Sequence, residues 1–402
     1  MIITEKHIIK VGHKFFNECD DLCFRSKNLY NQGLYNVRQH YFETKKYLNN
    51  AENYKITCKQ DSYRQLPTKV SCQTLKLVDQ NFKSFFGLLK TSGSIARMPK
   101  YLKTEGRYIT KFGKQALKKM AFKRGGKISL SQTNILINTK ITNWDSIKEV
   151  RIVPRNNFYV IEVVYEKKEK IATGNITASI DPGLNNLATI AFNNNNYQPF
   201  IINGRPLKSI NQYYNKKKAK IQSQLEKELG KKTSKKLTKL TNKRNQKVND
   251  YMHKSSRKLV NQLVLCQTGT LIIGKSAGQK QDISLGKKNN QNFVQIPLFR
   301  FLDMVAYKAR LCGIKVIWQE ESYTSKASFL SGDHIPTYGG EISVGIHKFS
   351  GYRMNRGLYK IKGEKTYINA DLNGAYNIMK KAIPNAFANG IEDVEVHPIL
   401  ID

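Results

Sequence analysis

The sequence predicts a multidomain chain of mixed α/β and α+β class. A C-terminal mixed sheet with helices on its faces follows a helical domain and a small, β-barrel-like antiparallel domain. Three observations lead there. The apolar period is helical up to about residue 104, strand-like over 105–170, and alternates between the two from about 174 onward. The 402 residues exceed what one core usually fills, ~250–300 residues. Hydrophobic residues make up 40% and aromatics 10%, enough for folded cores in spite of the heavy charge.

Each element follows in order. Ile8-Ile9-Lys10-Val11 reads as a short strand within a first segment, 1–12. Over 14–46, Phe15, Cys19, Leu22, Leu29, Leu34, Val37 and Tyr41 recur near the helical period, and Leu75, Val78, Phe82, Phe85, Phe86 and Leu89 repeat it over 70–91. These two helices define a domain at 13–104. Cys19 and Cys23, four residues apart without a neighbouring His, read as core positions of the first helix. Between 105 and 172, the runs 127–130, 134–137, 149–153 and 158–165 are rich in β-branched and aromatic residues, the mark of a small antiparallel sheet or barrel. The remaining domain, 173–402, opens with three strands joined as hairpins (177–180, 187–192 and about 199–202). A long helical stretch (207–266), a buried strand (270–273), a helix (296–312) and a strand (314–318) follow. A loop-rich insertion (322–368) precedes a last helix near Asp371.

Charge narrows the partners. Sixty-eight Lys and Arg against 30 Asp and Glu leave a formal charge of +38. An excess of that size repels itself until a polyanion relieves it. Nucleic acid, whose phosphates release counterions on binding, is therefore the expected partner, rather than a membrane or a small-molecule substrate. No run approaches the ~18 apolar residues of a spanning helix. Met1 to His7 has no signal-peptide character. Cytoplasmic, nucleoid-associated placement is the expectation.

Within this basic chain, three places can bring carboxylates together. Asp181 closes the first strand of the mixed sheet, Glu320 and Glu321 close the strand ending at Gln319, and Asp371 opens the last helix. Strand ends and helix starts are where side chains from distant segments converge. Each acid also has an ordinary reading: Asp-Pro-Gly as a turn, Asp371 as a helix-start charge, the Glu pair as a solvated strand end. Their joint placement on this strand order favours an acidic site that divalent cations neutralise. Two Mg²⁺ ions, with Mn²⁺ able to substitute, suit hard oxygen ligands and phosphodiester hydrolysis.

The residues around these acids resemble a known family. Ser179 to Ala188 (SIDPGLNNLA), Asp250 to Lys258 (DYMHKSSRK), Tyr323-Thr324-Ser325-Lys326 and Asn369 to Ala375 (NADLNGA) are similar in order and spacing to the RNase H-like RuvC nuclease domain of TnpB, the RNA-guided endonuclease of insertion sequences, a relative of type V CRISPR effectors and Fanzor proteins. The 13–104 and strand-rich 105–172 segments resemble, on weaker grounds, the family's recognition and wedge domains, with 1–12 as the first wedge strand. The insertion at about 322–368 then corresponds to a target-nucleic-acid-binding element. The resemblance implies Asp181 and Asp371 as the first and third catalytic, metal-holding acids. The second acid departs from the commoner pattern, because Ile272-Ile273 is followed by Gly274-Lys275-Ser276 and no acid appears before Asp282. Rearranged branches place a Glu just ahead of the Thr-Ser-Lys motif, which favours Glu321, with Glu320 as second choice. Strands 270–273 and 314–319 should be neighbours ~4.8 Å apart, so that a Glu at one tip reaches ions otherwise held from the other. The family's four-cysteine zinc ribbon has no counterpart, since 327–370 contains no Cys. Apolar packing by Phe329, Tyr338, Phe349, Tyr352 and Tyr359 should replace it, and zinc is not expected.

Residues 231–258 hold eleven Lys and Arg against one acid, Asp250. A solvated helix explains that stripe; so does contact with a nucleic-acid backbone through Lys243, Arg244, Lys247, Lys254, Arg257 and Lys258. Arg353 and Arg356, interleaved with Tyr352, suit stacking on unpaired bases. The resemblance thus implies a Mg²⁺-dependent, RNA-guided endonuclease cleaving DNA beside a short flanking motif, with guide RNA and target DNA as partners. The alternatives are a nuclease-inactive RNA-guided repressor and a transposase acting on DNA ends.

Overall fold

The structure is a computed structural model that describes residues 1–92, 95–171, 174–275, 291, 294–337, 348–355, 357–388 and 394–401. It divides into two compact units, Met1–Lys168 and Glu169–Asp402.

In the first unit, β1 (Ile2–Lys10) is longer than its apolar tetrapeptide suggests. Its full length is zipped antiparallel to β6 (Phe158–Glu166), from Ile2↔Glu166 to Lys10↔Phe158. With β2 (Thr110–Gly113) and β5 (Ile147–Arg155) these strands form an antiparallel sheet in the order β1-β6-β5-β2, and β3 (Lys127–Ser129) and β4 (Leu136–Asn138) form a separate ribbon. The predicted helices are present as α1 (Phe16–Thr44) and α4 (Thr68–Ser92). Cys19 and Cys23 are both fully buried. Two short helices that the apolar pattern does not announce lie between them: α2 (Asn50–Thr57) and α3 (Asp61–Arg64). α2 depends on a local device, an Asn49–Glu52 capping box, which satisfies amides that a short helix leaves open. A further helix, α5 (Lys119–Gly125), interrupts the strand-rich segment and buries none of its residues completely.

The second unit is built on a six-stranded mixed sheet, counted among the described residues, in the order β11-β10-β7-β8-β9-β15. The hairpin strands are β7 (Ile176–Asp181), β8 (Asn186–Phe192) and β9 (Phe200–Asn203). The helical stretch divides at Gly230, which takes a left-handed conformation, into α6 (Arg205–Leu229) and α7 (Lys235–Leu265). β10 (Thr268–Lys275) then lies parallel to both β7 and β11 (Lys315–Glu320), with α8 (Leu298–Leu311) connecting it to β11. Strands 270–273 and 314–319 are therefore neighbours, as expected.

Both faces of this sheet are covered, which explains why β10 reads as an unbroken apolar run. Leu271 and Ile273 pack in the core that also holds Leu259, Leu263 and Phe301 of α7 and α8. Ile272 points the other way, into a core with Phe329, Tyr359 and Tyr376. The last of these belongs to α9 (Ala370–Ala382). The insertion is more ordered than its loop-like sequence implies: β12 (Gly351–Asn355), β13 (Leu358–Ile361) and β14 (Tyr367–Asn369) form a three-stranded sheet leading into α9. Phe329 stacks on Tyr376 at 4.6 Å, so apolar packing does fill this region, although Tyr352 is exposed. Tyr338 lies outside the described residues. β15 (Ile399–Ile401), too short to carry a pattern, pairs parallel with β9. No helix among the described residues is long and apolar enough to cross a membrane.

Candidate active site

The sheet order brings three strand ends side by side. Asp181 is the last residue of β7, Gly274 stands near the end of the adjacent β10, and Glu321 follows the last residue of β11 beyond that. Asp371 enters from above the sheet, in the first turn of α9. Asp181, Glu321 and Asp371 all line one cleft of about 760 Å³.

Two glycines make this approach possible. A Cβ on Gly274 would stand 2.6 Å from Glu321 Oε2 and 2.7 Å from Ile378 Cδ1. The space that a side chain at 274 would occupy is thus filled by the Glu321 carboxylate reaching across from the neighbouring strand. A Cβ on Gly374 would stand 2.8 Å from Asp181 Oδ2, so the bare backbone lets α9 close onto β7. Ser179 Oγ fastens the same contact by donating to the Ala375 carbonyl at 2.7 Å.

Asp371 does not cap its own helix. Asn369 does, accepting from the amides of Asp371 and Leu372 at 3.0 and 3.1 Å, which leaves the Asp371 carboxylate for other partners. Asn186 Nδ2 donates to Asp371 Oδ2 at 2.7 Å, and Arg353 forms an ion pair with Asp371 Oδ1. Asp181 is held well above the usual carboxylate range. Burial is the main cause, the nearby Asp371 and Glu321 add repulsion, and Arg353 pulls the other way.

Glu320 and Glu321 part company here. Glu320 turns away from the cleft and accepts from Ser322 N at 2.6 Å, Ser322 Oγ at 2.8 Å and Lys381 Nζ at 2.6 Å. Burial raises its carboxyl, but the Lys381 and Ser322 hydrogen bonds outweigh it and hold the group below its ordinary range. Its charge is therefore already matched. Glu321 is the member of the pair that faces Asp181.

The donor chemistry suits a hard divalent cation. Three carboxylates crowd one cleft, and the buried hydroxyl of Thr189, which lines it beside Asp181, has no hydrogen-bond partner among the described residues. Mg²⁺ keeps several of its waters, and such a hydroxyl is a ready partner for one. Among the described residues, no group of three His, Cys, Asp or Glu side chains is arranged to hold one ion. The Arg353 guanidinium supplies positive charge in the cleft through its pair with Asp371.

The other residues singled out from sequence are dispersed. Lys243, Lys247, Lys254, Arg257 and Lys258 are exposed along α7 and do not line the cleft. Lys254 pairs with Asp250 at 2.8 Å. Arg244 is different: it donates to Asn211 Oδ1 and to the Gln295 carbonyl, both at 2.8 Å, and burial lowers its pKa. It is a tie between elements. Arg353 lies in the acid cleft itself, and Arg356 and Asp282 lie outside the described residues. Sequence reasoning passed over Asn186, Thr189 and Lys208, which also line the cleft; Lys208 donates to the side chain of Asn185. The polar pair Asn185-Asn186, one residue beyond Asp-Pro-Gly, was the available signal.

Residues 160–279 match the family described as Probable transposase (OrfB_IS605), and residues 299–378 match the one described as Cas12f1-like, TNB domain. The first stretch contains Asp181 and the second Glu321 and Asp371. No curated protein matches the chain. Among solved structures, the cryo-EM structure of the Cas12f1-sgRNA-target DNA complex is similar over 89% of this chain and 81% of that one, with a TM-score of 0.56 and 17% identity. The mini-RNA-guided endonuclease CRISPR-Cas_phi3 aligns over 99% and 93%, with a TM-score of 0.46 and 10% identity. The likeness of fold, a multidomain mixed α/β architecture, rests on the first of these.

Proposed function

We propose that this chain belongs to the TnpB family and is an RNA-guided DNA endonuclease that cleaves target DNA next to a short flanking motif by phosphodiester hydrolysis. The observation that carries the reading is the meeting of Asp181, Glu321 and Asp371, from three distant parts of a +38 chain, in one cleft. A fold that only bound nucleic acid would gain nothing from burying like charges against one another.

These three acids would hold divalent ions, Mg²⁺ or Mn²⁺. When bound, such ions polarise the phosphate, activate a water and stabilise the leaving oxygen. The chain's own residues do the rest. Asn186 and the Asn369 cap orient the Asp371 carboxylate. Lys208 and Arg353 stand at the cleft wall, where a cation meets the substrate's phosphates. The exposed Lys and Arg of α7 contribute backbone contact at low sequence cost, while base pairing to a guide RNA supplies the sequence choice.

The first test is to sequence the RNA that co-purifies with the chain and to incubate that complex with matching DNA and Mg²⁺. One dominant RNA with a variable end, together with guide-dependent cleavage that Asp181→Ala removes while DNA binding persists, supports the reading. Guide-dependent binding without cleavage by the unaltered chain supports the repressor alternative instead.

A further inference from the structure

Two motifs remain without a chemical role: the Tyr323-Thr324-Ser325-Lys326 loop and the asparagines that follow Asp371. The structure joins them. Asn373 and Asn377 are four residues apart on α9, hence on one face, and both are fully buried. Asn373 Nδ2 donates to the Ala327 carbonyl at 2.8 Å, and its Oδ1 accepts from Phe329 N at 2.9 Å. Asn377 Nδ2 bridges two carbonyls, Thr324 at 2.9 Å and Ala327 at 2.8 Å. Thr324 passes the connection on: its Oγ1 and its amide donate to the Glu321 carbonyl at 2.8 and 3.3 Å.

We propose that Asn373 and Asn377 are positioning residues which, from the helix carrying Asp371, clamp the loop carrying Glu321 and so set the spacing between the two carboxylates. The clamp costs stability at two points, which argues for a use beyond packing. Asn377 Oδ1 is buried with no hydrogen-bond partner among the described residues, the consequence of spending both N–H groups on the loop. Tyr323, a residue with a side chain, is held at φ 64° in the left-handed region, two positions after Glu321. An apolar side chain at 377 would fill the space without an unpaired buried oxygen, but it would leave the Thr324 carbonyl without its donor.

The proposal rests on the reading of the three acids as a metal-holding set, and two measurements on the full chain separate the two ideas. The first is amide hydrogen exchange without metal. In Asn377→Ala and in the double variant with Asn373→Ala, the amides of Lys326, Ala327 and Phe329 should exchange at least about tenfold faster, while those of β10 keep their protection. Unchanged protection overturns the clamp. The second is titration with Mn²⁺ alone, read by electron paramagnetic resonance. Asn377→Ala should weaken Mn²⁺ binding about tenfold. Thr324→Val, nearly the same shape and so a milder test of folding, should weaken it about threefold with little change in melting temperature. In a Glu321→Gln background, Asn377→Ala should cost nothing further, because the route through Glu321 is already gone. Equal losses in both backgrounds overturn the proposal alone. An unaltered chain that takes up no Mn²⁺ overturns the metal-dependent reading, and this proposal with it.

Discussion

Two cavities of nearly equal size, about 760 Å³ in the second unit and about 750 Å³ in the first, treat charge in opposite ways. The acid cleft places three partly buried carboxylates side by side, from the ends of two strands and the start of a helix. The groove of the first unit is lined by Lys55, Lys69 and Lys76, all exposed, with Lys114 and Lys148 paired to Asp145 at 3.0 Å and to Glu166 at 2.7 Å. Lysine heads on flexible stems remain hydrated until a polyanion arrives. Carboxylates held close together repel one another, and a cation or a proton relieves that repulsion. On the proposed function, the difference is that the cleft would take a small hard ion and the groove would face an extended polyanion.

The comparison breaks most sharply at the acids. Glu321→Gln and Asp181→Asn should each lower guide-dependent cleavage by about a thousandfold or more in a target-DNA assay, while RNA binding measured by filter retention stays unchanged. Full cleavage by Glu321→Gln would shift the role to Glu320 or Asp282. Next in size is Gly274→Ala. Its methyl group would displace the Glu321 carboxylate, and cleavage should fall about a hundredfold with a raised Mg²⁺ requirement, on the scale of a misplaced reacting group.

The groove should respond differently. Ala substitution at Lys55, Lys69 or Lys76 should weaken nucleic-acid binding a few-fold and reduce the slope of log K against log salt by about one per lysine, with Mn²⁺ uptake unaltered. The smallest effect is on stability. A carboxyl raised in the folded chain destabilises it at pH values above the ordinary aspartate range, and that penalty fades as pH falls below it. In chelator at pH 7.5, Asp181→Asn should therefore melt a few degrees higher than the unaltered chain, and the gap should close toward pH 4. A gap that stayed constant across that range would assign the gain to something other than the buried charge.

How far the sequence reaches can be judged residue by residue. The convergence of Asp181, Glu321 and Asp371 is legible because each follows an apolar strand or opens an apolar helix, and strand order does the rest. The preference for Glu321 over Glu320 rests in the sequence only on the resemblance, since its physical cause is Lys381, sixty-one positions from Glu320, which takes one of two adjacent carboxylates. Arg244 and Lys247 look alike in a basic stripe. Only the packing of Asn211 and Gln295 against α7 shows that the first is a tie and the second is exposed. Asn373 and Asn377 break the apolar period of α9 and read as surface positions, although both are fully buried. The helix α2 depends on its cap rather than on a period, and α3 is a single turn of four residues, too short to show one. Patterns of apolar residues reveal what is buried by hydrophobicity, and they are silent about what is buried by hydrogen bonding.

Gly274 and Glu321 share one volume, and this has a historical consequence. A lineage moving its acid from one strand to the other passes through a chain with both side chains or with neither. Both would compete for one volume, because a Cβ at 274 would stand 2.6 Å from Glu321 Oε2 and the carboxylate would have to swing aside. On the proposed function, neither would leave a chain without its second acid, so these two positions, forty-seven residues apart in the chain, would be constrained as a pair.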